Sequence, residues 1–142
     1  MTRKTAEEIW GLEYDWLATD LDGRVGFFST AGAGFAPEGF LSDVDRHKAG
    51  IAELQALPAS TTATRAPVLR PDLENDWRTM AEHGVYAYDS NPNGGPYELV
   101  AVPRDPISLA QLPPLARQAA ESVRLYVHLG QVEWIRGDEA TD

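Results

Sequence analysis

Tyr14 to Thr30 reads YDWLATDLDGRVGFFST, and this stretch decides the fold. Trp16, Ala18 and Leu21 alternate roughly with polar residues, the period-two pattern of a strand with one buried face. Asp22-Gly23 then supplies a tight turn, because glycine reaches the positive-φ backbone that a short reversal needs. Val25, Phe27 and Phe28 begin a second β-rich run. The stretch predicts a β-hairpin. A second hairpin is expected in VYAYDSNPNGGPYELVAVP, residues 85–103, with arms over 85–88 and 97–102 and a long irregular turn, SNPNGG.

Helical patterns surround the hairpins. Thr5-x-x-Glu8 is a capping-box pattern that opens a short helix to about Leu12, with Ile9, Trp10 and Leu12 on its apolar side. Phe40, Leu41, Val44, Ile51 and Leu54 recur at helical spacing and predict a helix over 38–56, ended by Pro58. PASTTATRAPVLRP, residues 58–71, reads as a proline-bounded surface loop. PDLENDWRTMAEHG predicts a helix with an apolar stripe of Leu73, Trp77, Met80 and Ala81 and a stop at Gly84. Leu112 to Arg124 reads as a helix with Pro113-Pro114 at its start. VRLYVHLG, residues 123–130, fits helix and strand equally, QVEWI reads as a short final strand, and the polar tail RGDEATD is expected to fray. The whole predicts one domain over 1–142, an α+β fold with a mainly antiparallel sheet of two hairpins and three to four helices packed on it.

Composition limits function. The chain has 142 residues, 22 acids against 12 Lys plus Arg, and no cysteine. Disulfides, thiolate zinc sites and a cysteine nucleophile are excluded. A net charge of −10 disfavours nucleic acid and anionic membranes and favours a basic partner. Residues 1–71 hold 7 basic and 10 acidic side chains, and residues 72–142 hold 5 and 12, so the second half is the more acidic. No signal peptide and no apolar run of about 18 residues is visible, so a cytoplasmic protein is expected.

Catalytic motifs fail one by one. In FFSTAGAGFAPEGF, Gly34 and Gly39 have Walker spacing, but Phe40 and Leu41 stand where Lys and Ser/Thr belong. Gly32 and Gly34 begin a dinucleotide fingerprint, but Pro37 replaces its third glycine and has no N–H to offer a phosphate. These glycines are read as backbone geometry before a helix, with Phe35 able to face a partner. Asp20-Leu21-Asp22-Gly23 starts like a calcium loop, but glycine arrives too early and Ala31 holds position twelve. Asp43 and His47 share a helix face, yet two ligands make no metal site and an exposed face is the expectation. Trp10, Trp16, Trp77 and Trp134 are read as core. Tyr86, Tyr88 and Tyr97 are read either as an aromatic surface near Asp89 or as edge-strand packing. No catalytic, cofactor or metal residue is expected.

WLATDLDGRVGFFSTAGAGFAPEGFL (16–41) and AYDSNPNGGPYELVAVPRDPISLAQLPPLARQ (87–118) together carry a family resemblance. A tryptophan-led strand, an acidic-Gly turn, a glycine-rich segment closed by proline, and a Leu-Pro-Pro helix start are similar to those of small, mostly uncharacterised bacterial proteins. Several of these resemble immunity proteins encoded beside toxins. The resemblance implies an acidic protein-binding module that occludes a cognate toxin with a basic surface. Asp72, Glu74, Asp76 and Asp89 would steer the encounter, and Phe35 or Tyr88 would anchor it. The alternatives are a small hydrolase or ligand-binding enzyme with a spatially assembled site, and a subunit of a larger assembly.

Overall fold

The computed structural model describes residues 1–141. The fold is α+β, and the described residues form five α-helices and eight strands. The first hairpin is present. β1 (Asp15–Thr19) and β2 (Val25–Ser29) pair antiparallel, with Trp16 opposite Phe28. Gly23 takes φ +76° in the turn. Asp20, 4 % exposed, clamps that turn: its carboxylate accepts the N–H groups of Asp22, Arg24 and Leu129, each at 2.8 Å. This is a satisfied structural carboxylate.

The second hairpin joins β4 (Tyr86–Asp89) to β5 (Tyr97–Pro103), with a register shift between Ala87 and Tyr88. The two hairpins are not simply adjacent antiparallel units. β2 runs parallel to β4, from Gly26 opposite Tyr86 to Ser29 opposite Asp89. Parallel neighbours need a long crossover, and residues 30–85 supply it. β6 (Arg124–Leu125) also runs parallel to β1. With β3 (Ala63–Arg65), β7 (Trp134–Ile135) and β8 (Ala140–Thr141), the mixed sheet has the order β3-β5-β4-β2-β1-β6-β8, and β7 adds to β5.

Several expectations need correction. The 38–56 helix is two: α2 (Glu38–Leu41) and α3 (Val44–Gln55). Asp43 breaks them, because its side chain accepts from Arg46 N and caps α3 instead of continuing α2. α1 spans only Ala6–Ile9, since Gly11 turns at φ +83°. α4 (Asp76–Glu82) starts late, capped by Asn75, which leaves Leu73 49 % exposed. The 58–71 loop contains β3, and the tail expected to fray contains β8. The ambiguous 123–130 stretch contains β6, after α5 (Pro114–Glu121).

Two cores lie on the two faces of the sheet. Leu17, Val25, Phe27, Ala87 and Ala101 meet α3, α4 and α5. Gly50 lets α3 approach α5 closely: a Cβ there would lie 2.9 Å from Ala116 Cα. On the other face, Trp16, Phe28, Tyr88 and Tyr97 stack or meet edge-on beneath Phe40, Val123 and Leu129. All three hairpin tyrosines are buried, which selects core packing over the aromatic surface. Trp16 is also core, but Trp10 and Trp134 are 67 % and 53 % exposed, against expectation.

Candidate acidic cleft

The glycine-rich loop is held from inside. Trp16 Nε1 donates to Tyr97 Oη at 3.2 Å, and Tyr97 Oη donates to Phe35 O at 2.7 Å. The amides of Ala33 and Gly34 both donate to Thr30 O, so they are not free for a phosphate. Gly34 is required by contact, since a Cβ there would fall 2.6 Å from Tyr97 Oη. These internal contacts fix the backbone of the loop.

The histidines are also structural. His47 is fully buried, not on an exposed face. Its Nδ1 accepts from Leu17 N at 3.0 Å, which places the proton on Nε2, 2.9 Å from Ser122 Oγ. Burial pushes its pKa down to about 4. His83 is buried at the end of α4, and exposed His128 pairs with Asp22 at 2.7 Å.

Chemistry gathers instead at one end of the sheet. Alternation along β1, β2 and β4 sends Leu17, Phe27 and Ala87 under the helices. Two residues from these, before Leu17 on β1 and after Phe27 and Ala87 on β2 and β4, stand Asp15, Ser29 and Asp89 on the same face. They are direct neighbours, Asp15 opposite Ser29 and Ser29 opposite Asp89. The helices do not close over this end. What remains is two adjoining hollows of about 720 and 500 Å³, both bordered by Glu13, Asp15, Glu74 and Asp76. The smaller adds Ser29, Trp77 and Asp89. Its lining has five carboxylates and no Lys, Arg or His. Lys4 and Lys48 border only the larger hollow. Among the described residues none of the five carboxylates forms a salt bridge. The buried Trp77 indole N–H has no hydrogen-bond partner among the described residues.

Electrostatics follow from this crowding. Burial raises Asp15 to about 6; the Ser29 hydroxyl opposes the rise, and Asp76 and Glu13 add repulsion. Burial likewise raises Asp89 to about 6, opposed by the Ser90 amide and reinforced by Glu13, Asp15 and Glu98. Asp76 is raised by burial and by Glu74. Such a cleft favours a cation, which would relieve the repulsion. The carboxylates do not converge as metal ligands: among the described residues no group of three or more His, Cys, Asp or Glu is placed to hold an ion.

The sequence-predicted residues divide. Glu74, Asp76 and Asp89 come together in the cleft. Asp72 stays outside on an exposed loop, 3.5 Å from Arg70. Phe35 is half-buried against Trp16 and Tyr97 and borders a neighbouring groove. Tyr88 is corrected: it is fully buried, its hydroxyl donating to Val132 O at 2.7 Å, so it cannot anchor a partner. Glu13 and Asp15 were missed. The available signal was phase, because Asp15 falls on the same side of β1 as core Leu17. No helix among the described residues is long and apolar enough to cross a membrane. Compared with protein-family models, curated proteins and solved structures, the chain shows no match.

Proposed function

We propose that the chain is a protein-binding module of immunity type, working in the cytoplasm, whose acidic cleft takes a basic side chain of a cognate toxin. One observation carries this reading: five carboxylates line a single hollow that contains no cation of its own. A partner's Lys or Arg would complete that charge set, and the net charge of −10 would steer the encounter. The cleft offers the toxin a counter-charge, and the chain inhibits by occupying the toxin's basic surface. The test co-expresses the tagged chain with the products of its neighbouring genes and identifies bound proteins by mass. A one-to-one partner that is toxic alone is expected. The combined Glu74→Gln, Asp76→Asn and Asp89→Asn variant should bind it at least tenfold more weakly and with a shallower salt dependence. Asp72→Asn, outside the cleft, should leave both unchanged. Equal binding by the triple variant would sink the reading.

A second reading rests on Asp15 and Asp89. Burial raises both to about 6, and they flank Ser29. Two carboxyls poised near neutrality can serve as acid and base in hydrolysis. Partner-free turnover with a bell-shaped pH profile, lost in Asp15→Asn and in Asp89→Asn, would select the enzyme.

A further inference from the structure

Beside the acidic cleft lies a second, chemically different hollow. It has a volume of about 120 Å³ and is bordered by Ile9, Trp10, Thr30 and residues 32–36. Trp10 on its border is 67 % exposed, and Leu12, two residues on and bordering the larger acidic hollow, is 53 % exposed. A tryptophan this exposed is uncommon, and it follows directly on buried Ile9. The backbone that carries it is fixed: the Thr5–Glu8 capping box holds α1. Gly11 N donates to Gly32 O at 2.7 Å, tying the Trp10–Leu12 segment to the glycine loop. An anchor presented on an ordered segment loses little freedom on binding.

The two hollows are close neighbours on the surface. Ala31 borders the acidic one and Gly32 the apolar one, and consecutive Cα atoms are about 3.8 Å apart. Leu12 and Glu13 likewise stand next to each other, and both border the cleft. The segment that carries Trp10 also holds exposed acids, Glu7 and Glu8 on α1 and Glu13 beyond Leu12. Lys4 and Lys48 border the larger hollow together with Leu12 and Glu13, so the acids outnumber the cations on this side without excluding them. An apolar partner surface with acidic flanks would be repelled here, and one with basic flanks attracted.

We propose that Trp10, Leu12 and the 32–36 groove form the apolar anchor of the same interface whose charged half is the cleft. The occupant is a single segment of a basic protein, presenting one aliphatic side chain to Trp10 and a Lys or Arg, a few residues away, to Asp15, Asp76 and Asp89. This rests on the binding reading above and gives its partner a sequence character. Tryptophan beside a charged pocket is the composition expected at an interface hot spot. It also relocates the anchor that the sequence places at Phe35 or Tyr88; Phe35 here borders the same groove as Trp10.

The test uses the full chain and two synthetic peptides of equal length and charge. One carries three lysines among glycine and serine, and the other has one serine replaced by leucine beside the lysines. Affinities are read by titration calorimetry at low salt. The leucine peptide should bind at least fivefold more tightly. Trp10→Ala should erase that preference while leaving the lysine-only affinity within twofold, and Leu12→Ser should independently erase the preference; circular dichroism confirms that both variants fold. A preference that is missing in the parent chain, or that survives both substitutions, overturns the anchor and leaves the cleft standing. Should the lysine-only peptide bind the Asp76→Asn, Asp89→Asn double variant as well as the parent, the cleft reading itself fails. If neither peptide binds the parent, both ideas fall.

Discussion

Removing the charge of Asp15 should stabilise this protein, and the size of the effect follows from its surroundings. Asp15 sits at the start of β1, partly buried, near Glu13 and Asp76, with the Ser29 hydroxyl as its hydrogen-bond donor. Its pKa rises from an ordinary 3.8 to about 6. The folded value lies above the unfolded one, so folding favours the protonated acid. Stability from this group is therefore complete below about pH 4 and lost as pH rises through 6. At about 1.4 kcal/mol per pH unit, the ionised carboxylate disfavours the fold by about 3 kcal/mol at pH 8, reduced to about 1–2 kcal/mol by partial exposure to water. Asp15→Asn keeps a hydrogen-bonding oxygen for Ser29 and abolishes the charge. It should raise the thermal midpoint by roughly 3–8 °C at pH 8 and by almost nothing at pH 4. The assay is thermal unfolding of both proteins from pH 4 to 8. Only their difference matters, so other titrating groups cancel. The reasoning is refuted if the gain is absent at pH 8, or if it is the same at pH 4. A stabilised variant that also binds basic peptide less well would mark Asp15 as a residue kept for function at a cost in stability.

His47 has the opposite sign. Its folded pKa, about 4 against an ordinary 6.5, means that its contribution is complete above 6.5 and lost as pH falls toward 4. Relative to His47→Asn, which keeps an acceptor for Leu17 N, the parent should lose about 3 kcal/mol over that window, read by urea unfolding. Gly50→Ala tests the contact of α3 with α5. Helix propensity alone favours Ala by about 1 kcal/mol, but the new Cβ meets Ala116 Cα at 2.9 Å and Leu115 O at 3.0 Å. Overpacking against backbone should reverse the sign to a net loss of about 1–2 kcal/mol; a higher midpoint for Gly50→Ala would show that the helices are not this close.

What could be read from the sequence was local. The β1–β2 turn was legible because Asp22-Gly23 forces it, and the capping box at Thr5 because two side chains within four residues suffice. The β2–β4 parallel contact was not legible. Its partners are separated by the whole 30–85 crossover, and no short-range pattern selects that pairing over another. The break at Asp43 was visible only to a reading that weighed its capping role against the continuing apolar periodicity. Tryptophan exposure was misjudged because apolar character says what can be buried, not what is. α1 has only Ile9 to bury, so Trp10 turns outward. The cleft was half legible: Glu74, Asp76 and Asp89 stood out as acids, but nothing local joined them to Glu13 and Asp15.

That joining is a consequence of the mixed sheet. A carboxylate in phase with core residues is tolerable only near a strand end, where the helices stop. One such strand end makes an ordinary polar edge. Here β1 starts where β2 and β4 finish, because β1 is antiparallel to β2 and β2 is parallel to β4. Three in-phase polar residues, Asp15, Ser29 and Asp89, are thereby set side by side, and the late start of α4 brings Glu74 and Asp76 across from them. Had β4 run antiparallel to β2, Asp89 would sit at the opposite end of the sheet beside the β1–β2 turn, and the like charges would never meet. The parallel contact that the sequence hides is thus the feature that concentrates charge. The cleft stands or falls with that topology rather than with any single acid.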